Sequence, residues 1–184
     1  MSPTAGSFVL SAETSSTGIA AVFLDRDGVL IEDSGYPHRE DQLVMMPGAA
    51  EAVRRLNGMG YVVIIVTNQS GVARGLFSEK QMHDFNALVV RRLAAKGARI
   101  QAVYACPYHS EARDPAYFHA DHPDRKPNPG MILRAAADHD IDLKRAFMIG
   151  DQPSDIEAAR RAGIPGFRFE GGDLDRFVQD LFGN

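Results

Sequence analysis

Residues 21–30 read Ala21-Val22-Phe23-Leu24-Asp25-Arg26-Asp27-Gly28-Val29-Leu30, an apolar run that ends in two carboxylates spaced i, i+2 and then a glycine. Read as a buried parallel strand, the run delivers Asp25 and Asp27 to its carboxyl end, where open α/β sheets bind their ligands. The period-2 geometry of a strand turns both acids to one side and Arg26 to the other. Gly28 lets the chain bend away without a Cβ penalty. Two close carboxylates repel, so the pair makes most sense around a cation or a reaction that uses both.

Outward from this stretch, short apolar runs alternate with longer amphipathic ones. Strands are expected at 19–24, 61–66, 100–105, 146–149 and 164–169. Helices are expected at 47–57, 78–96, 130–139, 154–162 and 174–182. Pro47 suits a first helical turn, and Ser78-Glu79-Lys80-Gln81 reads as a capping box. The alternation implies right-handed crossovers and a parallel sheet with helices on both faces. Residues 1–17, rich in Ser, Thr, Ala and Gly, are expected to form a flexible tail ahead of a single domain over 18–184. Residues 107–129 hold five of the ten prolines and three of the six histidines, and a loop of that length in a compact domain is usually functional or disordered.

Composition narrows the classes. A net charge of −4 suggests no sequence-independent grip on nucleic acid or an anionic membrane, so an anionic ligand must be held by placed cations and backbone amides. No apolar run approaches the roughly 18 residues that cross a bilayer. A lone cysteine, Cys106, fits a reducing compartment, and the start of the chain lacks the basic and apolar regions of a signal peptide. The expected setting is the cytoplasm, and the expected state a monomer.

Four strands end in polar clusters. The first gives Asp25 and Asp27, and the second gives Thr67-Asn68-Gln69-Ser70-Gly71. Arg125-Lys126-Pro127 follows the third, and Gly150-Asp151 the fourth, with Asp155 one turn further on. In a parallel sheet these ends meet in one crevice, and their chemistry suits phosphoryl transfer. A carboxylate approaching a phosphate dianion is repelled unless a hard cation intervenes, and magnesium accepts two carboxylates, a carbonyl and waters. Asp25 would attack phosphorus to give an aspartyl-phosphate. Asp27 would protonate the departing alkoxide and then deprotonate the hydrolytic water. Thr67 and Lys126 would bind the equatorial oxygens, and Asp151 would complete the metal site.

With these motifs in order over about residues 19–169, the chain resembles the haloacid dehalogenase superfamily. The resemblance implies a Rossmann-like α/β/α sandwich, a mostly parallel sheet of order 5-4-1-2-3 and no large cap domain. It implies magnesium held by the side chains of Asp25 and Asp151 and by the carbonyl of Asp27. Asp33-Ser34-Gly35-Tyr36, Thr67-Asn68-Gln69-Ser70-Gly71-Val72-Ala73-Arg74-Gly75 and Arg125-Lys126-Pro127-Asn128-Pro129-Gly130-Met131 resemble the D-glycero-D-manno-heptose 1,7-bisphosphate 7-phosphatases more narrowly. That likeness implies a small phosphorylated sugar as partner. It implies sugar contacts from Asp33, Ser34, Gly35, Tyr36, Thr67, Asn68, Gln69 and Ser70, and recognition by Arg125. Arg125 or Arg74 could meet a second phosphate. Histidinol-phosphate phosphatases, which share the Thr-Asn-Gln start, are the nearest alternative. A non-catalytic phospho-sugar-binding domain is the alternative of another class.

Two positions depart from the pattern. The family commonly holds a structural zinc through Cys-x-His and Cys-x-Cys, where this chain has Cys106-Pro107-Tyr108 and His122-Pro123-Asp124. A shifted set, Cys106, His109, His119 and His122, has zinc-binding residue types. The other reading is a loop held by prolines and hydrogen bonds. Gln152 stands where the family often places a lysine.

Overall fold

The computed structural model describes residues 18–183, so the tail expected over 1–17 lies outside the described residues. Five strands, β1 (Ile19–Leu24), β2 (Val62–Asn68), β3 (Ala102–Cys106), β4 (Ile141–Gly150) and β5 (Gly166–Arg168), form one sheet of order β3-β2-β1-β4-β5. Every pairing is parallel. This is the expected order read from its other edge. The five helices are α1 (Ala49–Gly58), α2 (Glu79–Ala94), α3 (Gly130–Asp138), α4 (Pro153–Ala162) and α5 (Leu174–Phe182).

The period of two along the strands divides the core. Val22 and Leu24, with Val63 and Ile65, pack among residues of α1, α2 and α5. Ala21 and Phe23, with Ile64, Val66 and Met148, pack among residues of α3 and α4 on the opposite face. With both faces covered, β1 buries everything after Ile19, as a central parallel strand must. No helix of the described residues is long and apolar enough to cross a membrane.

The largest departure from expectation is β4, which begins at Ile141 rather than at residue 146. Its first half carries Asp142, Lys144 and Arg145, which break the apolar signature because Lys144 and Arg145 are exposed; apart from Ile141, only the last five residues are buried. A register shift against β1 between Ile19 and Ala21 joins the two halves. The Ser78–Gln81 capping box forms as expected: Gln81 N donates to Ser78 Oγ at 3.2 Å and Ser78 N to Gln81 Oε1 at 2.8 Å.

Candidate active site

The chain runs β1, β2, β3 toward one edge of the sheet and β4, β5 toward the other. The reversal opens a crevice past the carboxyl ends of β1 and β4, the position where such sheets take ligands. Leu24, the last residue of β1, is in register with Ile65 on β2 and Ile149 on β4. The residues just beyond these, Asp25, Thr67 and Asp151, therefore share one rim. Gly28 is needed here twice over: its φ is +80°, and a Cβ would lie 2.5 Å from Asp151 Oδ2.

Lys126 is the centre of the crevice. Its Nζ lies 2.9 Å from Asp25 Oδ1 and 2.7 Å from Asp155 Oδ1, and donates to the carbonyl of Val66 at 2.8 Å. All three side chains are buried. Burial works against the ammonium, but the two carboxylates outweigh it and raise the Lys126 pKa. Burial also pushes the Asp25 carboxyl up to about 7 against the pull of Lys126, with help from Asp155 and Asp27. Asp155 is fixed from α4, where its Oδ2 accepts from Gln152 N at 2.9 Å. Gln152, not Asp151, is the cap residue of that helix, which leaves Asp151 for the crevice. Asp151 Oδ2 accepts from Gln152 Nε2 at 2.5 Å, whereas its Oδ1 is buried without a hydrogen-bond partner.

Asp25, Asp151 and Asp155 bring one carboxylate oxygen each within 4.8 Å of one another. Three carboxylates facing one ammonium leave a surplus of two negative charges when ionised. A divalent oxygen-seeking cation matches that surplus and the orphaned Asp151 oxygen. The residues present fit such an ion. The carboxylate of Asp27 stands outside this triad, with Arg26 Nε 2.8 Å from Oδ1, and Arg26 Nη2 and Gln69 Nε2 each 2.9 Å from Oδ2. Arg26 therefore does not point away from both acids, as strand alternation predicts. The chain leaves β1 at Leu24, and the guanidinium folds back onto its neighbour.

A cavity of about 350 Å³ opens over these groups, lined also by Asp33, Gly35, Tyr36, Thr67, Asn68, Gln69, Gln152 and Ser154. Two of the expected sugar contacts spend their amides inside the protein. Asn68 exchanges two 3.0 Å hydrogen bonds with the backbone of Lys126, and Gln69 bridges Asp27 and Thr67 Oγ1. Ser34, Ser70, Arg74 and Arg125 do not line the cavity. Arg74 pairs with Glu111 at 2.7 Å, and Arg125 donates to the carbonyl of Tyr108 at 3.3 Å. Burial and the nearby Arg74 both disfavour the Arg125 charge. Sequence reasoning undervalued Asp155, whose signal is its place three residues after a cap, and missed Asn86, which has no local signal.

The shifted zinc set does not assemble as a metal centre; the one metal-competent group among the described residues is the aspartate triad. Cys106 Sγ lies 3.8 Å from His122 Nδ1, but His122 stacks on Tyr108 at 4.1 Å and His119 meets it edge-on. His109 Nδ1 accepts from Glu111 N, and its Nε2 lies 3.3 Å from Arg74. Stacking and hydrogen bonds hold the loop.

Comparison with known proteins agrees with this geometry. Residues 22–99 match the haloacid dehalogenase-like hydrolase profile, and residues 124–175 a HAD-hydrolase-like profile. A D-glycero-β-D-manno-heptose-1,7-bisphosphate 7-phosphatase from Rhodopseudomonas palustris is 51% identical over 88% of this chain and 89% of its own length. The chain belongs to the heptose bisphosphate phosphatase family of haloacid dehalogenase-like hydrolases. A second family member, from Thermosynechococcus vestitus, is 45% identical over 88% of this chain and 84% of its own. Among solved structures, the family's D,D-heptose 1,7-bisphosphate phosphatase from B. bronchiseptica, complexed with magnesium and phosphate, is 31% identical with a TM-score of 0.73. That likeness covers 90% of this chain and 88% of the other.

Proposed function

We propose that the crevice hydrolyses a sugar phosphate monoester, the 7-phosphate of D-glycero-D-manno-heptose 1,7-bisphosphate, through transfer of the phosphoryl group to Asp25. The observation that carries this reading is the buried Lys126 set between Asp25 and Asp155, beside the orphaned oxygen of Asp151. Such a cluster is costly unless a cation and an anionic ligand complete it. Magnesium, held by Asp25, Asp151 and Asp155, would screen the repulsion between carboxylates and phosphate and stabilise charge on the transferring group.

The remaining steps fall to the protein's own residues. An Asp25 oxygen attacks phosphorus, and the bond from phosphorus to the sugar oxygen breaks. Asp27 gives its proton to that oxygen. Water then attacks the aspartyl-phosphate, Asp27 takes a proton from it, and phosphate leaves with Asp25 restored. Thr67 donates to an equatorial oxygen, where charge collects, and Lys126 donates to another on exchanging one of its three present partners for it. Asn68 and Gln69 hold Lys126, Asp27 and Thr67 in place.

Asp33, Gly35 and Tyr36 form the sugar-side wall; Tyr36 is 42% exposed and adopts φ +55°. Arg74 and Arg125 would meet the distal phosphate, whose charge offsets the cost of two guanidiniums near each other. The 18–184 segment acts as one catalytic domain. The test is phosphate release, with magnesium, from heptose 1,7-bisphosphate beside histidinol phosphate and hexose phosphates. A preference of about 100-fold in kcat/KM, or about 2.7 kcal/mol of differential transition-state binding, is expected for the heptose. Equal, slow turnover of all three would remove the heptose assignment.

A further inference from the structure

Arg26 is the largest fully buried side chain among the described residues, at 0% exposure, and it sits between two acids of the motif. A guanidinium is buried this completely only when its donors are used. Four contacts use them. Nε and Nη2 grip the two oxygens of Asp27 at 2.8 and 2.9 Å, Nη1 donates to Asn86 Oδ1 on α2 at 2.6 Å, and Nη2 to the Pro37 carbonyl at 3.2 Å. The plane rests over the Phe85 ring at 4.9 Å. A bidentate fork fixes the plane of a carboxylate as well as its distance, which an ammonium cannot do. Asp27 keeps 19% of its side chain exposed, on the cavity side. Pro37 follows Tyr36, so the same guanidinium grips the backbone next to the sugar-side wall.

We propose that Arg26 is the positioning residue for Asp27. Its buried fork aims the acid–base carboxylate at the ester oxygen and ties that aim to the substrate loop through Pro37 and to α2 through Asn86. The inference rests on the reading above that Asp27 moves the protons. Proton delivery matters for a sugar alkoxide, a poor leaving group, and hardly at all for p-nitrophenolate, which departs without a proton. The ratio kcat/KM ends at cleavage of the ester bond, so it isolates this step from the later hydrolysis.

The experiment compares kcat/KM for the best sugar phosphate of the wild-type protein with that for p-nitrophenyl phosphate, both with magnesium. Asp27→Asn should lower the sugar value by about 10²- to 10⁴-fold and the aryl value far less. Arg26→Lys, which keeps the charge and loses the fork, should show the same selective loss, about 10- to 100-fold on the sugar. Asn86→Ala, which removes one anchor and touches no reacting group, should show it more weakly, and it carries the test if Arg26→Lys does not fold. Equal losses on both substrates in Arg26→Lys and Asn86→Ala, beside a selective loss in Asp27→Asn, would overturn the positioning role alone. An unselective Asp27→Asn would overturn the acid–base reading and the proposal with it.

Discussion

Past the ends of β1 and β4, Asp25 and Asp151 gather with Asp155 of α4 beside Lys126; along residues 106–122, a thiol and three imidazoles lie close in sequence and disperse among their neighbours. Both sets have the residue types of a metal centre. In the crevice, Asp25 comes from the end of β1, Asp151 from the end of β4 and Asp155 from the first turn of α4, and the carboxylate oxygens lie within 4.8 Å of one another. In the loop, His122 is spent on Tyr108, and His109 on Glu111 and Arg74. Chelating side chains close in sequence can satisfy one another locally. Those fixed at the ends of β1 and β4 and on α4 are held in place by the scaffold and keep a surplus of negative charge for a ligand. The contrast makes the crevice the place where substitution should cost activity, and the loop the place where it should cost only packing.

The largest effect is expected at Asp25. Asp25→Asn should lower kcat by about 10⁴-fold or more, as loss of a nucleophile does, measured as phosphate release with magnesium. The same substitution should stabilise the metal-free protein. The folded Asp25 carboxyl titrates near 7 against an ordinary 3.8, so between those values the folded chain holds a proton that the unfolded chain has lost. Stability of the metal-free wild type therefore falls as pH rises from about 4 to about 7 and stays low above that. Asp25→Asn should remove the fall and raise Tm at pH 8, by about 5–10 °C if the cost is a few kcal/mol. An unchanged Tm would break the claim that the crevice is charged at the expense of the fold.

Lys126→Met should follow. It leaves Asp25 and Asp155 buried without their cation, at a cost of about 3–5 kcal/mol in the metal-free protein, read by urea unfolding. Added magnesium should recover part of that loss, because a divalent ion binds the folded triad and not the unfolded chain. Equal destabilisation with and without magnesium would separate Lys126 from the metal site. Chelation of the wild type should abolish turnover and magnesium should restore it, while the loop, whose contacts involve no ion, keeps its structure.

The sheet was legible because its strands speak in runs. Val22 to Leu24 is apolar on both faces, and only a strand covered on both sides needs that. The crevice was legible because strand ends in a parallel sheet converge wherever they lie in sequence, which placed Asp25, Thr67, Lys126 and Asp151 together. The Arg26–Asn86 contact was not legible, because sixty residues separate the two and a single asparagine on a helix carries no pattern. Nor was the inward use of Asn68 and Gln69, since an amide looks the same in sequence whether it faces a sugar or a backbone. The first half of β4 was hidden by its own exposure, as Lys144 and Arg145 mask an edge that hydrogen bonds alone define.

The smallest effects belong to the loop, and they sharpen the contrast most. His122→Ala removes a ring stacked on Tyr108 with 5° between the planes; loss of such a contact should cost about 1 kcal/mol and leave kcat within about twofold. Cys106 is fully buried at the end of β3, and burial pushes its thiol up, so it should resist a thiol reagent in the native state and react on unfolding. If the loop instead held zinc, His122→Ala would release the metal and free Cys106 to react, and a zinc chelator would lower Tm in the wild type. With magnesium present, a selective zinc chelator should therefore shift neither Tm nor Cys106 labelling, since hydrogen bonds and ring contacts, unlike coordination, give a chelator nothing to remove.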